Sequence, residues 1–318
     1  MKNKNLLICL TPLQMLIAEK IIESNKNDIF DLVVLALKDT DKYKKYYSRL
    51  SVKCERSIYC KIKPGFWGFI YFYNFLKKNK FINNYRGLYL ASIDSRYVQY
   101  FVSKNHKANV YTFDDGTANI VKSSIYYKPE NISSFKKTIL KFIGISDFKD
   151  DIIKKSLLHY TIYNNVSNII NNTKYIPLVS NYISKEGGVI KNIKIYLGQP
   201  LLEINSNFDF EYLVKEIEKI KFDFYFPHPR EDFDDDLNFN VIKTDLIFED
   251  FIIKYLEDNP NVFVEIYSFT SSALINVKSL KRVKCFYIYN EDFMKYFKDF
   301  YFASEKIFNI ELINLESI

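Results

Sequence analysis

The run Asn5–Leu10, six residues without a charge and followed at once by Thr11-Pro12, constrains this chain more than any other feature. It is too short for a buried helix, and its apolar residues do not alternate with polar ones. Such a run is a strand covered on both faces, which is the condition of a parallel sheet. Parallel strands need long crossovers, usually helices, and Pro12 sits where a first helical turn tolerates the missing N–H. The spacing predicts a helix over Pro12–Glu23.

The same grammar recurs. Strands are expected at Asp31–Leu37, within Val52–Ile62, at Gly87–Ser92 and at Ala108–Asp114, with helices at Gly65–Lys80 and Ser95–Ser103. A less regular stretch follows from Thr117 to Ile190. It holds a helical segment at Ser133–Ile143, an apolar segment at Leu157–Tyr163 and the Asn-rich run Asn164–Asn172. Gly187-Gly188 then punctuates the chain. Strands resume at Ile193–Leu197, Phe222–Phe226, Val262–Tyr267 and Val283–Tyr289, with helices at Phe210–Ile220, Glu249–Glu257 and Ser272–Val277. With 318 residues, two domains are expected. They are an N-terminal Rossmann-like domain with linker over 1–188 and a C-terminal one over 189–318. Two such α/β domains facing each other across a cleft describe the GT-B architecture. Ligands of these sheets bind at the carboxyl ends of the strands.

Formal net charge is +7, which suits an anionic partner. The lysines are interspersed with acids and form no basic tail, so nucleic acid is not expected. Cys9, Cys54, Cys60 and Cys285 include no CxxC pair and read as buried thiols of a reducing compartment. The opening segment resembles a signal peptide only superficially: Pro12 and Gln14 interrupt it and Glu19-Lys20 close it. A cytoplasmic protein is expected, and no segment has the apolar length of a membrane span.

Four strand ends carry polar residues suited to chemistry. Thr11 and Gln14 stand at a helix start, where free N–H groups favour an anion. Asp114-Asp115-Gly116 places carboxylates at a sharp turn, where one can accept a proton from a hydroxyl. His228 follows an apolar strand between Pro227 and Pro229, which fix the backbone around it. His106 sits in a polar turn, and His159, in an apolar run, is expected to lack partners. Ser268, Ser271 and Ser272 surround a helix N-terminus able to cradle a phosphate. The run Asp234-Asp235-Asp236 reads as a solvated loop rather than a metal site.

Taken in order, LLICLTPLQMLIAEKII at the start, the DDG of 114–116, the FPHPRE of 226–231 and the SS of 271–272 resemble bacterial sialyltransferases, in particular glycosyltransferase family 52, the lipooligosaccharide and capsule sialyltransferases. The resemblance implies CMP-sialic acid as donor, a galactose-ended glycan as acceptor, inversion at the anomeric carbon, and no metal or other cofactor. It implies His228 of the HP motif as general acid or phosphate partner, and Ser271 and Ser272 as holders of the CMP phosphate. It leaves two candidates for the base. Motif matching points to Asp115. The segment Gly198-Gln199-Pro200-Leu201-Leu202-Glu203, a strand end preceding the HP motif, offers Glu203. Gly198, Gln199, Pro229 and Ser268 are then expected beside the donor. Neither the linkage, α2,3 or α2,6, nor the acceptor is specified. Two other readings stay open: a related transferase such as a glucosyltransferase, and a non-catalytic, membrane-associated glycan-assembly factor.

Phe66–Lys80 carries Phe66, Trp67, Phe69, Ile70, Tyr71, Phe72, Tyr73 and Phe75 nearly all round a helix that ends in lysines. One sheet covers one side only. The other side is expected to meet a second copy, giving a homodimer, or the cytoplasmic face of the inner membrane.

Overall fold

The computed structural model describes residues 4–82, 84–178, 191–200, 210–229, 231 and 239–315. The chain divides into two compact units, Met1–Leu178 and Val179–Ile318. The boundary expected at Gly187-Gly188 lies outside the described residues.

The first unit is built on a seven-stranded, wholly parallel sheet. Its strands are β1 (Lys4–Cys9), β2 (Ile29–Ala36), β3 (Arg56–Lys61), β4 (Gly87–Leu90), β5 (Asn109–Phe113), β6 (Ser156–Thr161) and β7 (Thr173–Tyr175), in the order β3-β2-β1-β4-β5-β6-β7. The helices are α1 (Pro12–Ser24), α2 (Asp41–Ser51), α3 (Gly65–Asn79), α4 (Arg96–Lys104), α5 (Ser134–Phe142) and α6 (Lys149–Lys155). Leu6, Leu7, Ile8 and Cys9 of β1 are all fully buried, as a strand covered on both faces requires. Thr11 caps α1, its hydroxyl accepting from Gln14 N at 3.2 Å, and Pro12 opens the first turn. On one face of the sheet Leu6, Val33, Leu35 and Leu88 pack against Phe72 and Leu76 of α3 and Phe101 of α4. Each such side chain contributes about 1.5–3 kcal/mol by leaving water.

The second unit has a five-stranded parallel sheet of order β12-β11-β10-β8-β9. Its strands are β8 (Lys191–Leu197), β9 (Phe224–Phe226), β10 (Val262–Ser268), β11 (Val283–Tyr289) and β12 (Glu311–Asn314). Its helices are α7 (Phe210–Glu218), α8 (Phe248–Asp258), α9 (Ser272–Val277) and α10 (Glu291–Lys306), the last kinked at Phe297, where φ is −122°. The elements α2, α6, β7, α10 and β12 are additions to the sequence reading.

Both sheets have a topological switch point, a place where successive crossovers depart in opposite directions and leave a crevice above the strand ends. In the first unit it lies between β1 and β4; in the second, between β8 and β10. These two strand ends carry the polar residues described next.

Candidate active site

At the first switch point the carboxylate of Asp115 is held by three neutral donors. Gln14 Nε2 donates to Oδ1 at 2.8 Å; Ser92 Oγ and the Tyr126 hydroxyl donate to Oδ2 at 2.9 and 2.8 Å. Gln14 is itself fixed, its Oε1 accepting from Leu10 N at 2.6 Å and its Nε2 also donating to Ser92 Oγ at 2.8 Å. The ends of β1, β4 and β5 are thereby tied to one half-buried acid. Gly116, at φ +55°, turns the chain away immediately afterwards. Burial and the charge of Asp115 together push the Tyr126 phenol up. They act in the same way on Asp94, whose carboxyl is raised first by burial and then by Asp115. The site therefore holds a second acid close enough to the first to feel its charge.

Thr11 meets this cluster only through its capping bond, its hydroxyl accepting from Gln14 N. The expectation that His159 lacks partners is corrected. It is fully buried, with Nε2 2.9 Å from Asp114 Oδ1 and Nδ1 2.8 Å from Thr112 Oγ1. Asp114 Oδ2 also accepts from Thr161 Oγ1 at 2.8 Å and Ile162 N at 2.7 Å. An apolar strand hides a polar residue of this sort only when its partners lie on neighbouring strands, which the sequence does not pair. The two acids of the DDG thus divide: Asp114 locks β5 to β6 inside the fold, and Asp115 faces the strand ends. Buried Lys149 supports the same region, its Nζ donating to the carbonyl oxygens of Ile125 (3.0 Å) and Lys128 on either side of Tyr126.

At the second switch point Gln199 is buried and bridges β8 to β10. Its Oε1 accepts from Thr270 N at 3.0 Å and Ser268 Oγ at 3.2 Å, and its Nε2 donates to Thr270 Oγ1 at 2.7 Å. Ser268 is fully buried and also donates to Leu197 O at 2.9 Å. The side chains of Gln199 and Ser268 are therefore spent on each other, and their effect on a ligand passes through the backbone they shape. Ser271 caps α9, its Oγ accepting from Ala273 N at 3.3 Å, while Ser272 is the first helical residue. The Tyr287 hydroxyl, donating to Ser271 O at 2.6 Å, braces this turn from behind. At the end of β9, His228 and Pro229 are half-buried. Gly198 N donates to Phe226 O at 2.9 Å, joining the Gly198-Gln199 turn to the strand that carries the HP motif.

The structure thus gathers Gln14 and Asp115 at one switch point, and Gly198, Gln199, Ser268, Ser271 and Ser272 at the other, with His228 and Pro229 just past the end of the neighbouring strand β9. Sequence reasoning missed Ser92, Asp94 and Tyr126, and it assigned no role to Thr270 and Glu231 inside the motifs it singled out. The first two follow a short buried strand and had the same positional signal as Thr11 and Gln14. Glu203 and Asp234-Asp235-Asp236 lie outside the described residues. Among the described residues no three His, Cys, Asp or Glu side chains converge as a metal-ligand set.

Two parallel sheets, each collecting polar groups above its switch point, define a GT-B protein. A solved structure of the glycotransferase of kitacinnamycin shares this fold with a TM-score of 0.51 at 8% identity, over 99% of this chain and 87% of that one. The chain belongs to glycosyltransferase family 52, whose profile matches residues 29–292. It is 35% identical over 293 residues, 89% of its length, to an N-acetyllactosaminide α-2,3-sialyltransferase of Haemophilus influenzae, of which 91% is covered. It is 31% identical to a CMP-N-acetylneuraminate:β-galactoside α-2,3-sialyltransferase of Pasteurella multocida, over 86% of this chain and 87% of that one. An N-acetyllactosaminide α-2,3-sialyltransferase of Neisseria meningitidis is 29% identical, over 88% of this chain and 76% of that one.

Proposed function

We propose that this chain transfers sialic acid from CMP-sialic acid to a terminal galactose of a bacterial surface glycan, lipooligosaccharide or capsule, with inversion and an α2,3 linkage. The observation that carries the reading is the 35% identity to an α-2,3-sialyltransferase along nearly the whole of both chains. That three relatives share the linkage in their names favours α2,3 over α2,6 and sialic acid over another sugar. Incubation with CMP-sialic acid and lactose, followed by product analysis, tests it.

In this reading a carboxylate takes the proton of the galactose hydroxyl as the oxygen attacks the anomeric carbon. Asp115 fills the role, with Glu203 its competitor. The three donors around Asp115 fix its direction, so little reorganisation accompanies proton transfer. The bond from the anomeric carbon to the CMP phosphate oxygen breaks, and negative charge collects on the phosphate. His228 gives a proton or a hydrogen bond to it, and the Ser271 and Ser272 hydroxyls supply further donors. Because CMP already leaves as a stabilised phosphate, the reaction requires no divalent cation and no cofactor.

Part of α3 supports an association surface. Phe69, Phe72 and Leu76 are buried, whereas Phe66, Trp67 and Tyr71 are exposed, Trp67 at 79%. On α5, Phe135, Ile139 and Phe142 form a second exposed stripe, flanked by Lys136, Lys137 and Lys141. Among the described residues no helix is long and apolar enough to cross a membrane. These faces suit a homodimer contact, or peripheral contact with the cytoplasmic face of the inner membrane by way of the lysines. Light scattering with and without anionic liposomes separates the two; a monomer indifferent to liposomes contradicts both.

A further inference from the structure

One carboxylate joins the turn that carries His228 to the turn that carries Gln199. Glu231 Oε1 accepts from the Tyr225 hydroxyl at 2.7 Å, and Oε2 accepts from His228 N at 3.0 Å. The backbone N–H of Gln199 also faces this carboxylate and favours its charged form. In return Glu231 N donates to His228 O at 3.0 Å, so the two residues clasp each other across the turn. Gly198 leaves the space for this: a Cβ there would lie 2.4 Å from both Glu231 Oε2 and the Tyr225 hydroxyl. From Gln199 the hydrogen bonds continue to Thr270 and Ser268, next to Ser271 and Ser272. The network thus runs from the candidate leaving-group acid to the candidate phosphate cradle, and Glu231 stands at its branch point.

We propose that Glu231 is a positioning residue for sialyl transfer, holding the His228 turn in register with the Gly198-Gln199 turn and, through Gln199, with the Ser271-Ser272 helix start. This rests on the function proposed above. A buried carboxylate is costly to keep, and burial pushes this one above the usual carboxylate range while its hydrogen bonds pull it back down. An apolar residue would avoid that cost but would take from the Tyr225 hydroxyl and His228 N the acceptor they share. The role is geometric: Glu231 gives up no proton to the substrate and acts only through where it holds His228.

The test compares Glu231→Ala and Glu231→Gln with the wild type in turnover of CMP-sialic acid and lactose. The histidine side-chain NMR signals of the unliganded protein are followed in parallel. Wild-type turnover alone judges the underlying functional reading, and the NMR signals report the hold whatever the donor proves to be. Three histidines are present, and His228→Ala assigns the one of interest. Glu231→Ala is expected to shift the His228 signal and to lower turnover on the order of 100-fold, as a catalytic group misplaced by an ångström does. Glu231→Gln should return the signal and bring turnover to within about tenfold of wild type, because its amide oxygen still accepts from His228 N and the Tyr225 hydroxyl can turn to accept from its N–H. In the His228→Ala background Glu231→Ala should add no further loss. An unmoved His228 signal in folded Glu231→Ala overturns the proposal, as do losses that multiply in the double variant or a Gln variant as impaired as Ala. If Glu231→Ala does not fold, Tyr225→Phe takes its place. It withdraws one donor and should move the His228 signal the same way by less; no movement overturns the proposal.

Discussion

Gln14 Nε2 lies 2.8 Å from Asp115 Oδ1, so a side chain in the first turn of α1 aims a carboxylate 101 residues further along the chain. Ser92 and Tyr126 complete the hold. An acid held by three donors keeps one orientation, which suits acceptance of a proton from a sugar hydroxyl.

Asp115→Asn is therefore expected to lower transfer by at least about 100-fold, because the amide cannot take the proton. It should also cost about 1–3 kcal/mol of stability, since an N–H₂ group now faces groups that were donating to the carboxylate. Rates per folded molecule and thermal melts separate the two effects. Glu203→Gln is the control: if it alone abolishes transfer while Asp115→Asn retains it, the base is Glu203.

His228→Ala should lower turnover at least about 100-fold with the fold intact, through loss of a group acting on the departing phosphate. Steady-state kinetics checks this, and wild-type turnover in the folded variant removes His228 from the mechanism.

The two serines should behave differently. Each hydroxyl bound to a charged phosphate is worth about 1.5–3 kcal/mol of CMP affinity. Ser271 also caps α9 through Ala273 N. Ser271→Ala should thus lose both CMP affinity and about 1 kcal/mol of stability, whereas Ser272→Ala loses affinity alone. Calorimetric titration with CMP alongside melts reads both; unchanged affinity in the double variant would leave the pair as a helix start only.

Glu249 offers a prediction independent of function. It is buried at the start of α8, where Asn276 Nδ2 donates to it at 2.8 Å, and burial pushes its carboxyl up. A carboxyl whose folded pKa lies above its unfolded value contributes stability at acidic pH that is lost as pH rises through the folded pKa. Glu249→Gln keeps the bond from Asn276 and removes the ionisation. Its melting temperature should exceed the wild type's at neutral pH, and the gap should close as pH falls below the unfolded carboxylate range. A gap that widens in acid contradicts the assignment.

Much of this architecture was legible because buried parallel strands leave uninterrupted apolar runs. Asn5–Leu10 with Pro12 behind it is such a run, and Val262–Tyr267 and Val283–Tyr289 are each broken by one charge, Glu265 and Lys284. Helix α2 was hidden because its core stripe, Tyr43, Tyr46 and Leu50, is diluted by lysines and serines. Helix α10 was obscured by aromatics all round it and by the kink at Phe297. Within the candidate site, strand-end position singled out Gln14, Asp115, His228 and Ser271, and the family resemblance added Gln199. Local sequence could not reveal who holds whom. Tyr126 reaches Asp115 from an irregular loop, His159 finds Asp114 across a strand, and the last residue of FPHPRE turns back on its own motif.

The central claim meets its most direct test in one reaction: purified protein, CMP-sialic acid and lactose, with the product resolved by linkage. The account predicts α2,3-sialyllactose and release of CMP. No turnover of CMP-sialic acid together with transfer from a UDP-sugar would contradict it.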